Sequence, residues 1–112
     1  MSAAVGTPPA NVYEGNGELT VVTPIPGAHG PNTEVVVSSN RVRVTAACKY
    51  PQDSQHYHRR EWQVGSWELE VDLPVRVDPA RARAHLSLGV LVVMAPLSDS
   101  AGGESRPEVG EN

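Results

Sequence analysis

The chain has 112 residues, which fits one domain and excludes scaffolds such as the eight-fold βα barrel, which needs roughly 200 residues or more. A net charge of −4 argues against a dedicated nucleic-acid binder, which normally carries a basic surplus. Ten Gly, ten Pro and no Phe point to a turn-rich β protein whose core is built from Val, Leu and Ala.

In chain order, residues 1–11 are small and polar around Pro8 and Pro9, and predict a short flexible arm. They hold no Lys or Arg and no sustained apolar run, so no secretory signal is expected there. Gly15-Asn16-Gly17 tolerates the positive φ of a tight hairpin, and Leu19-Thr20-Val21-Val22 after it suits a short strand. Pro24, Pro26 and Pro31 exclude a central strand from their stretch. Glu34-Val35-Val36-Val37 and the alternating Arg41-Val42-Arg43-Val44-Thr45 predict two more strands, with Ser38-Ser39-Asn40 as the turn between them.

Lys49 to Arg60, with Pro51, Gln52, Asp53 and Ser54, has the composition of an exposed loop. Trp67-Glu68-Leu69-Glu70-Val71-Asp72-Leu73 then puts every apolar residue on one face and every acid on the other, as a half-buried strand does. Asp78-Pro79 opens like a helix, with a capping residue before a proline. Leu86 and Gly89 follow too soon for a helix to bury anything, so a turn is expected. Val90 to Met94 is a continuous apolar run suited to a central strand. Residues 98–112 combine Gly102, Gly103, Pro107 and Gly110 with four acids, and predict a disordered acidic tail.

The ordered domain is therefore expected over residues 12–97, as an all-β, antiparallel sandwich of the immunoglobulin-like kind. No 18 apolar residues follow one another, so no membrane span is expected and the cytoplasm is the default location.

The order of these elements resembles the α-crystallin domain of small heat-shock proteins. Glu18-Leu19-Thr20-Val21 with Pro26-Gly27, and then Asn40 to Val44, are similar to that family's early strands. His58-Arg59-Arg60-Glu61 before Gly65-Ser66-Trp67-Glu68 is similar to the family's approach to its long central strand. Most specific is Ala84-His85-Leu86-Ser87-Leu88-Gly89-Val90-Leu91, followed by an apolar strand and closed by Pro96. Val90 and Leu91 point to opposite faces, so one can enter the core while the other lines a groove.

The resemblance implies an ATP-independent holdase that responds to stress by binding unfolded or partly folded client proteins, with no nucleotide and no cofactor. It implies a client groove lined by Val35, Val37, Leu86 and Leu91. It also implies a homodimer made through the loop at Lys49 to Arg60, with Tyr57, His58, Arg59 and Arg60 at the interface, where Trp62 suits an aromatic anchor. The alternative is a non-catalytic interaction or co-chaperone module on the same fold, which binds one specific partner or modulates larger heat-shock assemblies.

Four departures bear on assembly. Trp62 stands where the family usually has an arginine, and Leu88 where a polar residue usually precedes the glycine. The arm is short, and no Ile-x-Ile tag closes the tail.

Sites of chemistry are not expected. His56-Tyr57-His58 near Asp53 has metal-ligand residue types but no third ligand placed by spacing, and reads as an exposed polar loop. Lone Cys48 has no internal disulfide partner and reads as a small buried apolar residue despite the neighbouring Lys49. Glu68, Glu70 and Asp72 make a solvated strand face, and the arginines near them suit cross-strand ion pairs. Neither a catalytic nor a metal site follows, and nucleic acid and membrane are not expected partners.

Overall fold

The alternating segments resolve into two five-stranded sheets that share one core. The computed structural model describes residues 5–48, 55–61 and 65–112. Its strands are β1 (Val5–Gly6), β2 (Asn11–Gly15), β3 (Glu18–Pro24), β4 (Ala28–Ser38) and β5 (Arg41–Cys48), then β6 (Ser66–Asp72), β7 (Arg83–Ser87), β8 (Val90–Pro96), β9 (Glu104–Ser105) and β10 (Val109–Glu111). One sheet has the order β1-β6-β5-β4-β9 and the other β10-β7-β8-β3-β2.

Val90 to Met94 lies in β8, a central strand between β7 and β3, as its unbroken apolar run requires. Val35, Val37, Val42, Val44 and Leu69 face Leu19, Val21, Leu86, Leu91 and Val93 across the core. The outward positions of β5 and β6 carry ions. Arg41 pairs with Glu70 at 2.8 Å and with Asp72 at 2.9 Å, as cross-strand neighbours of opposite charge should. On the second sheet Arg83 of β7 reaches across β8 to pair with Glu18 of β3.

Three expectations need correction. The stretch through Pro31 is strand after all, because β4 runs from Ala28 to Ser38. Its register to β5 shifts between Ala28 and Thr33, so an irregularity falls where the proline stands. The arm is not wholly loose, since Val5 and Gly6 pair in parallel with Ser66 and Trp67. The tail is not disordered: β9 pairs antiparallel with β4, and β10 pairs in parallel with β7. The sandwich is therefore antiparallel throughout its body and parallel only where its two ends add a strand.

The Asp78-Pro79 stretch is a single 3-10 turn over Pro79–Arg81, capped by the Asp78 carboxylate, which accepts from the Ala80 N–H at 3.1 Å. The expected turn is present.

Candidate functional site

The two sheets meet along a seam between β4 and β7, and the tail crosses it. Ser105 lies opposite Val37 on β4, while Val109 and Glu111 lie opposite Ala84 and Leu86 on β7. Val109 packs against the core cluster. Glu111 accepts the Gly30 N–H at 2.9 Å and sits 3.4 Å from His29 Nδ1. The Ser105 hydroxyl donates to the Pro79 carbonyl, and the Asn112 N–H donates to the Leu86 carbonyl. One segment thus adds a strand to both sheets and closes the side of the sandwich. A groove of about 1130 Å³ runs beside it, lined by Val5, Pro31, Thr45, Trp67, Pro107 and Val109 among others.

Of the expected groove residues, Val35, Val37, Leu86 and Leu91 are all core, each at most 1% exposed. They do not line an open surface. Alternation identifies the apolar face of a strand, and in a sandwich that face turns inward first. Val90 and Leu91 do point to opposite faces, but the outward one is Val90, at 37% exposure. Val37 and Leu86 nonetheless lie on the strands that carry the tail, so they border the seam.

The expected interface loop is described from Gln55 to Glu61, and Trp62 lies outside the described residues. Tyr57 is half-buried and the Arg60 guanidinium stacks 4.9 Å from its ring centroid. His58, Arg59 and Arg60 are exposed, and Arg59 pairs with Glu61 at 3.3 Å. None of the described loop residues joins either sheet. Among the described residues, strand β2 pairs on one side only, with β3.

His56 and His58 meet edge to face with ring centroids 5.3 Å apart. Asp53 lies outside the described residues. Among the described residues, no three His, Cys, Asp or Glu side chains converge as a metal site would require. Cys48 is half-buried at the end of β5, opposite Ala28, and not fully enclosed as expected. Among the described residues, no helix is long and apolar enough to cross a membrane.

Val109, Glu111 and Gly30 were not singled out in the sequence. The available signal was Pro107-Glu108-Val109-Gly110, an apolar residue framed by Pro and Gly in an otherwise polar tail. A lone valine in such a segment has too little apolar context to predict docking.

Comparison with known proteins agrees with this architecture. The Hsp20/alpha crystallin family profile matches residues 11–107. No curated protein matches the chain by sequence. The solved hspA of Xanthomonas axonopodis superposes with a TM-score of 0.72 at 21% identity, over 85% of this chain and 97% of that one. HSP18.5 of E. histolytica superposes with a TM-score of 0.69 at 23% identity, over 84% and 91%. Heat shock protein 16.0 of Schizosaccharomyces pombe gives 0.69 at 22%, over 85% and 69%.

Proposed function

The chain belongs to the Hsp20/alpha crystallin family of small heat-shock chaperones, and from that premise we propose that it acts as an ATP-independent holdase in the cytoplasm. The observation that supports this reading most is the seam between β4 and β7, which already accepts an extended segment by strand addition on both sides. That segment is the chain's own tail. An unfolding client offers the same chemistry: free backbone N–H and C=O groups, and an apolar side chain to place where Val109 sits.

The tail is suited to yield. Strands of two and three residues, one half-buried valine, a few hydrogen bonds and surface ion pairs hold it, so little apolar burial anchors it. When it leaves, the edges of β4 and β7 are free and Val37 and Leu86 become reachable from the seam. Binding unfolded chains there lowers the free concentration of aggregating species by mass action, with no nucleotide and no covalent step.

Assembly follows from the two remaining edge features. The outer edge of β2 and the loop with Tyr57, His58, Arg59, Arg60 and Trp62 serve a homodimer in this reading, with Trp62 as an aromatic anchor. The closed seam favours a second reading, a module for one specific partner, if the tail never gives way to general clients.

Aggregation assays on several unrelated clients separate the two. Suppression of light scattering for most of them at near-equimolar ratio is expected of the holdase. Suppression for none, with a tight complex to one partner, supports the module.

A further inference from the structure

Two hairpins of this chain turn through the same backbone geometry. Asn16 and Gly17 join β2 to β3 with φ of 55° and 77°, and Leu88 and Gly89 join β7 to β8 with φ of 54° and 79°. Positive φ at both central residues marks the primed turn that two-residue hairpins favour, and Asn-Gly meets it with little strain. A bulky side chain in the left-handed region is strained, because its Cβ crowds the following carbonyl. Leu88 therefore weakens a turn that asparagine would make well.

Burial among the described residues does not compensate for that choice. Leu88 is 98% exposed, so its side chain buries nothing in the folded chain. A backbone hydrogen bond ties the turn to the β3–β4 connection. The Gly89 carbonyl accepts the Ile25 N–H at 2.8 Å, and Gly89 sits against Pro26. Val90, 37% exposed, lies opposite Pro24 in the β3–β8 ladder. A strained, exposed leucine is thus held out on an anchored turn, with half-exposed Val90 two residues on.

We infer that Leu88 is a client-contact residue, an apolar anchor that takes hydrophobic side chains of unfolding proteins at a site separate from the seam. Its size selects this occupant. One leucine with a half-exposed valine two residues on falls well short of the roughly 800 Å² per partner that a stable interface between folded proteins buries. An extended unfolded segment needs no such area, and burying one leucine side chain is worth roughly ten- to one-hundred-fold in a binding constant. The inference rests on the holdase reading.

Leu88→Asn tests it in the full chain, since it copies the turn at Asn16 and should fold at least as well. The probe is insulin with its disulfides reduced, whose B chain aggregates without heating. Wild type is expected to suppress scattering, and Leu88→Asn to need about three-fold more protein for the same effect while its Tm rises by a few degrees. Leu88→Met should protect like wild type.

Equal protection by wild type and Leu88→Asn would overturn the anchor and leave the holdase reading standing. No protection by either would overturn both. Lost protection together with a shift from dimer to monomer in gel filtration with light scattering would assign Leu88 to a second copy, and would also overturn the client contact.

Discussion

The strand edges that carry Val37 and Leu86 are covered by the chain's own tail, whereas Leu88, at the end of the same strand β7, stands almost wholly in water. Both places belong to a β-sandwich with an enclosed core, yet one is covered by the tail and the other stands uncovered. The difference lies in what each costs the fold. Covering the seam satisfies backbone groups of β4 and β7 and buries part of Val109, so the tail adds stability while it stays. Holding Leu88 out adds none and strains a turn. A covered surface can be regulated by displacement; an exposed one is available at all times and must stay small to remain soluble.

Substitutions break or sharpen this contrast in order of size. The largest effect is expected at Leu91, which is core and not surface. Leu91→Ser should lower unfolding free energy by about 4 kcal/mol or more in urea melts, by cavity formation plus a buried hydroxyl. A loss under 1 kcal/mol would mean that Leu91 is not enclosed.

Val109→Asp is expected to cost about 1–2 kcal/mol, because the tail detaches and the rest of the sandwich does not unfold with it. Hydrogen exchange should then speed up at the Val109–Glu111 amides and at the amides of β4 and β7 that the tail covers, and stay unchanged in β8. At the turn the sign reverses: Leu88→Asn should stabilise, by up to about 1 kcal/mol of relieved strain. The smallest effect belongs to the exposed ion pairs. Arg41→Ala should change stability by less than about 1 kcal/mol in thermal melts, and less still at high salt.

The sandwich was legible in the sequence because period-two alternation and turn residues report it directly, most plainly in Trp67 to Leu73 and Asn16-Gly17. The seam was not. Its closing strand has three residues, and pairing across distant positions such as Val109 and Ala84 leaves no local pattern. Alternation also cannot tell an inward face from a groove, which is why Leu91 and Val90 exchanged places. Leu88 was visible as a departure from a polar position, but its strain and exposure depend on the turn geometry and emerge only with the fold.

The most direct measurement compares the full chain with one ending at Ser98, each titrated against reduced insulin at a temperature well below both melting points. A seam gated by the tail predicts that both suppress aggregation and that the shortened chain reaches half-suppression at a lower molar ratio, despite a lower Tm. Failure of both folded proteins to suppress aggregation at several-fold molar excess would contradict the holdase. Equal or weaker protection by the folded shortened chain would contradict the gated seam.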